Sequence, residues 1–302
     1  MRTKTSLVVL IAVIGVAFCA GCADSSAQRS GPVVGRGLRI VAAENFWGSI
    51  AQQIGGSAVS VTAVITNPAA DPHDYEPTPA DARAMAGADL VIVNGVGYDP
   101  WATTLLAASP GPIVLDVGDL VGAKDGDNPH LWYNPAYVRR FINALTGDLE
   151  KLDPTGHFAQ GRQHYESVAL APYDTLIADI RRRYGGTEVG ASESIFAMLA
   201  PALGLNLVTP PTFLRAISEG SDVSAADKRT IDRQIASHQI RIYVYNSQNA
   251  TPDVQVQLDQ CRSEHIPIAS ISETMTPANT TYQQWQSTQL RGIETALAQA
   301  RS

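Results

Sequence analysis

Four short segments carry side chains that could hold one cation together. Asn67-Pro-Ala-Ala-Asp-Pro-His73-Asp74-Tyr75-Glu76-Pro77 and Asn128-Pro129-His130-Leu131-Trp132-Tyr133-Asn134-Pro135 each present a histidine directly after a proline, whose ring fixes φ and stiffens the backbone. Ser192-Glu193-Ser194 and Ser272-Glu273-Thr274 each present a carboxylate at the end of a short apolar run. Imidazole nitrogen and carboxylate oxygen both suit divalent first-row metals, and two carboxylates would neutralise the charge of such an ion. Each piece also has a plain reading. A lone loop histidine is usually a solvated turn residue, and Glu193 or Glu273 could instead sit at the start of a helix and interact with its dipole. His157 and His164 in a helical stretch, His238 at a helix end and His265 just before a strand read as surface residues.

The elements that must position these groups alternate. β-rich runs at 38–43, 58–66, 89–94 and 112–116 are separated by helical stretches, which makes a first parallel α/β lobe. One helix start is well marked, with Thr78 as N-cap, Pro79 at the first position, Asp81 in the first turn and Gly87 as a stop. Residues 135–152 and then 155–184 are helical by period, split at Asp153-Pro154. The second stretch is about 30 residues, or ~45 Å at 1.5 Å per residue, with Pro172 placed to kink or shorten it. A second alternating block has strands near 187–192, 206–209, 240–245 and 267–271, a helix opening at Ser224 to Asp227, and a last helix near 282–300. The expected fold is therefore α/β: two lobes, each a four-stranded mostly parallel sheet with flanking helices, joined by one long helix. The expected boundaries are 38–152, 153–185 and 186–302. Ligands in such sheets bind beyond the carboxyl ends of the strands. His73 and His130 fall there in the first lobe, Glu193 and Glu273 in the second.

The chain has 302 residues, 45% of them hydrophobic and 17% charged, enough for two lobes and unlike a disordered or polytopic membrane protein. Its formal charge of −7 disfavours a nucleic-acid partner. Arg2 and Lys4 precede an apolar run from Leu7 to Ala20, which is shorter than a membrane span and reads as a secretory signal over residues 1–21, removed on maturation. Small residues before Cys22 resemble a bacterial lipobox, in which that cysteine is acylated; the alternative is plain secretion with cleavage near Ala20. Residues 22–37 are then a lipidated flexible tether. With Cys19 in the signal and Cys22 acylated, Cys261 has no partner.

At the four segments the chain resembles the zinc/manganese substrate-binding lipoproteins of bacterial ABC importers, over about Leu38 to Ala300. DPHDYEPTPAD (71–81) resembles the family's first ligand loop and NPHLWYNP (128–135) its second. SESIFAMLAPALGL (192–205) resembles the third, where zinc members usually have His and manganese members Glu; here it is Glu193. The family's fourth ligand is an Asp, and Glu273 stands at the matching place, so its longer side chain must fold back or bind differently. The resemblance implies a metal held between the lobes by His73, His130, Glu193 and Glu273. It also implies delivery to a cognate ABC permease by an extracytoplasmic lipoprotein anchored to the bacterial cell membrane, and a monomer is expected.

Two nitrogens and two carboxylates tilt the donor set slightly toward Mn²⁺, while Zn²⁺ accepts the same donors and binds a given site more tightly. The competing classes are a metal-dependent hydrolase and a metal-binding surface adhesin of the same fold. No His-Glu-x-x-His motif is present, and four protein ligands could fill a tetrahedral site that catalysis needs open, so no enzyme is expected.

Overall fold

The structure, a computed structural model, describes residues 37–68 and 75–301. The signal segment, Cys22, most of the tether and His73 lie outside the described residues.

The first lobe runs β1 (Leu38–Glu44), α1 (Asn45–Gly55), β2 (Val59–Ile65), α2 (Pro79–Ala86), β3 (Leu90–Val93), α3 (Pro100–Ala108), β4 (Ile113–Asp116) and α4 (Val117–Val121). Three helices follow: α5 (Pro135–Leu152), α6 (Phe158–His164) and α7 (Ala171–Tyr184). The second lobe runs β5 (Glu188–Ala191), α8 (Ile195–Leu199), β6 (Asn206–Leu207), α9 (Pro211–Ser218), α10 (Ala225–Ala236), β7 (Tyr243–Asn246), α11 (Pro252–Ser263), β8 (Ile268–Ile271) and α12 (Tyr282–Gln299). The sheets have orders β2-β1-β3-β4 and β6-β5-β7-β8, and every pairing is parallel. In each, the chain reverses its direction of growth beside the first strand, which puts a crevice at the carboxyl ends of β1 and β3 and of β5 and β7.

Local chemistry explains the elements. β1 and β3 are central and covered on both faces, so Ile40 to Ala43 and Leu90 to Val93 are unbroken apolar runs and all buried. Thr78 and Asp81 form a reciprocal capping box at the start of α2, and Ser224 Oγ accepts from Asp227 N at the start of α10.

The stretch expected to be one long helix follows a helical path from Phe158 to Tyr184 but not with one hydrogen-bond pattern. Asp153 Oδ1 accepts from Thr155 N and Oγ1, which holds the turn open until Phe158. Between α6 and α7 the residues Tyr165–Ala169 form a π turn, with Leu170 N donating to Tyr165 O at 2.8 Å. Pro172 has no N–H to donate to the preceding turn. The π turn restarts the helix just ahead of it, so that Pro172 falls in the first turn of α7, where no donor is needed.

The two lobes share a core. One apolar cluster runs from Ile40, Leu90 and Ile92 of the first sheet to Val189, Val244 and Ala269 of the second. α12 contributes to both lobes, packing against α1, α7 and β8. At the centre lies the turn Leu131-Trp132-Tyr133, fully buried. Trp132 stacks on Phe46 with centroids 4.1 Å apart, and its carbonyl accepts from Tyr282 Oη at 2.6 Å. Tyr133 Oη donates to Ser272 O at 2.7 Å. Replacing Trp132 by Ala removes the plug at this seam, and urea unfolding should show a loss of about 3–5 kcal/mol. A change within about 0.5 kcal/mol would mean that the seam is not structural.

Candidate functional site

His130 is built into the site from behind. Its ring is 3% exposed, and Trp132 and Tyr98 lie edge-on to it at 5.4 and 6.2 Å. Asn128 Oδ1 accepts from His130 N at 3.2 Å, while Asn128 Nδ2 donates to Ser194 O at 2.7 Å, so the backbone on both sides settles which amide atom is oxygen. That oxygen lies 2.8 Å from His130 Nδ1. An amide oxygen only accepts, so Nδ1 carries a proton, and in the neutral ring the lone pair is on Nε2. Nε2 faces Glu273 Oε1 at 3.7 Å. The loop hangs from Asn94, whose Nδ2 donates to Pro129 O at 2.9 Å and whose Oδ1 accepts from Trp47 Nε1.

Glu193 follows β5 at the crevice of the second sheet and is 2% exposed. It does not cap α8, whose N-cap is Ser194 without any side-chain cap bond. Glu193 Oε2 accepts from Asn249 Nδ2 at 3.3 Å and, weakly, from Ser218 Oγ at 3.4 Å, whereas Oε1 is buried without a hydrogen bond. Burial first, and then the charge of Glu273, pushes its carboxyl from the ordinary 4.5 up to about 7, against the opposing influence of the nearby Asn246 and Asn249 amides and the Ser218 hydroxyl.

Glu273 follows β8 and accepts from Tyr98 Oη at 3.0 Å through Oε1. Its neighbour Thr274 is tied to Gln248, which also donates to Pro68 O at 2.7 Å. The entrance of the His73 loop is thereby clipped to the second lobe. Its exit is held by Tyr75, which donates to Asp81 and packs on Trp101 at 5.0 Å. The structure thus brings His130 and Glu273 to one cleft of about 1020 Å³, whose walls include Asn128, Ser194, Ser218 and Asn249, with Glu193 buried against Ser218 and Asn249. Among the described residues, no three His, Cys, Asp or Glu side chains stand close enough together to hold a metal as they are. Like-charged carboxylates repel, and Glu193 rests on neutral donors of its own lobe. His157, His164, His238 and His265 are exposed, and Cys261 is buried as a free thiol.

The residues not expected from sequence are Tyr98, Asn94, Asn128, Ser218, Asn246 and Asn249, together with Glu44 and Asp99. Glu44, Asn94 and Asn246 stand at the ends of β1, β3 and β7, so their position at the crevices was the available signal. Glu44 and Asp99 form a buried acid pair. Burial, and then Asp99, holds Glu44 well above the usual carboxylate range, and burial raises Asp99 to about 6.

The family model described as "Zinc-uptake complex component A periplasmic" matches residues 40–296. A manganese-binding lipoprotein of Halalkalibacterium halodurans is 30% identical over 156 residues, covering 50% of each chain. A high-affinity zinc uptake system protein of Bacillus subtilis is 23% identical over 247 residues, 75% of this chain and 76% of the other. For the manganese-binding lipoprotein, as for several other curated relatives, the match spans only about half of the relative's length. In solved structures the fold recurs in an Mn-bound periplasmic metal-binding protein variant of Candidatus Liberibacter asiaticus, with TM-score 0.73, 20% identity and 86% and 99% of the two chains covered. It recurs also in the periplasmic zinc-binding protein of Treponema pallidum, with TM-score 0.70, 20% identity and coverage of 88% and 99%.

Because Glu193 holds its proton more tightly folded than unfolded, the metal-free protein is most stabilised by it below pH 4.5 and loses that contribution as pH rises toward 7. At 1.36 kcal/mol per unit of pKa, the loss is about 3 kcal/mol. Glu193→Gln should therefore make the metal-free chain more stable than the parent at pH 8 by up to that amount, with the gain vanishing near pH 4. Urea unfolding across this range checks it, and parallel pH curves for parent and variant would contradict it.

Proposed function

The chain belongs to the family of periplasmic zinc-uptake complex component A proteins, and from that premise we propose that it captures Mn²⁺ or Zn²⁺ between its lobes outside the cytoplasm and passes the ion to the permease of an ABC importer. The observation that carries this reading is Glu193: a buried carboxylate, with one oxygen lacking any hydrogen bond and the charge of Glu273 acting on it. Ionising such a group costs free energy in the empty site, and a cation that joins it relieves that cost. His130 Nε2 and Glu273 face the same space from opposite lobes. His73, on the loop whose entrance is clipped to Thr274 and Gln248, is the fourth ligand of the proposal.

The set His73, His130, Glu193 and Glu273 combines two neutral nitrogens with two anionic oxygens, which gives the slight lean to manganese. Four protein donors also leave a tetrahedral ion no open position for an attacking water, which supports capture rather than hydrolysis. The relatives' descriptions as a manganese-binding lipoprotein and a zinc uptake protein support both the cargo and its route. Cys22, at the end of the signal segment, is the proposed acylation site, and residues 22–37 the tether that keeps a monomeric chain beside its permease. No helix of the described residues is long and apolar enough to cross a membrane.

The full chain purified without chelators should carry close to one equivalent of Mn²⁺ or Zn²⁺ by elemental analysis. His73→Ala and His130→Ala should each lose most of the affinity at neutral pH, and binding should weaken in acid as the ligands take up protons. Glu193→His exchanges an oxygen donor for imidazole and should move the Mn²⁺/Zn²⁺ preference toward Zn²⁺ in competition titrations. Parent-like binding by both histidine variants would place the site elsewhere. Mass spectrometry of membrane-fraction protein should find an acylated N-terminus at Cys22, and an unmodified chain in the medium would contradict the anchor.

A further inference from the structure

We propose that Tyr98 is a positioning residue for the metal site, its phenol reaching across the lobes to hold the Glu273 carboxylate in place before the ion arrives. The inference rests on the reading of Glu273 as a ligand.

The observation behind it is a strained turn. Gly95, Val96 and Gly97 take φ of 72°, 57° and 71° in succession. Two glycines accept this freely, but a β-branched valine in the left-handed region does not, and such strain persists only where surrounding structure over-determines it. The surroundings do so here. The Asp99 carboxylate accepts from both Asn94 N at 2.7 Å and Gly95 N at 2.9 Å. Tyr98 N closes the turn on Gly95 O at 3.0 Å. Below it the chain is too close for side chains: a Cβ on Gly95 would collide with Asp116 Oδ1, and one on Gly118 would meet Val96 Cγ2 at 2.7 Å.

The product of this turn is one side chain. The Tyr98 ring is wholly buried, packs on Trp132 at 4.9 Å and lies edge-on to His130. Its hydroxyl leaves the first lobe and donates to Glu273 Oε1 of the second at 3.0 Å, on the same oxygen that His130 Nε2 faces. Glutamate has three side-chain torsions to fix. A charge-assisted hydrogen bond from a rigid aromatic fixes the carboxylate end without contributing a charge of its own, and so does not compete for the ion. A ligand held in this way meets the cation at a smaller ordering cost, which is the role that outer partners of metal ligands serve.

Tyr98→Phe removes only the hydroxyl. In the full chain, competition titration should show Mn²⁺ affinity falling roughly 10- to 100-fold, the usual effect of losing such a partner. The melting temperature of the metal-free variant should stay near that of the parent. The absorption spectrum of bound Co²⁺ should change in band position or intensity, which a remote packing change would not cause. In a Glu273→Asp background, where the shorter side chain withdraws from the phenol, the same replacement should cost less than about twofold. Tyr98→Phe binding within twofold of the parent with an unchanged Co²⁺ spectrum overturns the proposal, provided that Glu273→Ala loses binding. Parent-like binding by Glu273→Ala would instead overturn the assignment of Glu273 as a ligand. Equal losses in the Glu and Asp backgrounds would show that Tyr98 acts through packing alone and also overturn it.

Discussion

A carboxylate removed from water is costly to ionise without a cation beside it, and this chain buries Glu193 under the influence of a second carboxylate, Glu273. The surrounding architecture is arranged around that cost. Neutral donors from Ser218 and Asn249 satisfy one oxygen of Glu193 and leave the other without a partner. No lysine or arginine forms an ion pair with it among the described residues, although either would relieve the strain. Under the proposed function, such a pair would stabilise the metal-free state and compete with the cargo. In the proposed site the second lobe would supply the negative charge that a divalent ion neutralises, and the first lobe the imidazole and the hydrogen-bond donors that orient it.

The division of labour follows from topology. Both sheets reverse beside their first strand, so each has a crevice at its carboxyl end, and the shared core sets the two crevices facing each other. Buried asparagines stand at comparable places: Asn94 just after β3 carries the His130 loop through Pro129, and Asn246 at the end of β7 lies beside Glu193. An asparagine offers both a donor and an acceptor without charge, which suits a position that must bind loop backbone while leaving the electrostatics to the ligands. The sequence shows no fixed repeat, so the likeness of the lobes lies in the strand order and not in the residues.

How much of this could be read from the chain alone follows from the range of each interaction. The central strands were visible because parallel strands covered on both faces are written as apolar runs, as in Leu90–Val93, and edge strands such as β2 and β4 because β-branched residues recur in them. The caps at Thr78 and Ser224 were visible because they act within three residues. α4 was missed. Its signal is a faint one, Asp116 accepting from Asp119 N at one end and Gly122 in the left-handed region at the other, inside an acidic stretch that reads as a loop. The π turn was missed because the position of Pro172 says that a helix must break, not how. Histidines and glutamates at strand ends could be picked out by residue type, but their partners could not. Tyr98 and Glu273 are 175 positions apart, and Asn128 and Ser194 are 66 apart. Such pairings are properties of the folded packing, and no local pattern encodes them.

The continuous core also bears on how an ion would enter and leave the proposed site. Swinging the lobes apart about α6 and α7 would separate Phe46 from Trp285, break the bonds from Tyr133 to Ser272 and from Tyr282 to the Trp132 carbonyl, and part the reciprocal amides of Gln53 and Gln283. Each opened contact exposes aromatic surface at about 25 cal/mol per Å², and close-packed interiors do not deform gradually. The polar contacts at the rim are cheaper to exchange. Gln248 to Pro68, Thr274 to Pro68 and Tyr98 to Glu273 are single hydrogen bonds to loops, each contributing about 0.5–3 kcal/mol. For the ion exchange of the proposed function, exchanging these rim contacts on a frame that stays closed at the Trp132 seam is a less costly route than parting the lobes.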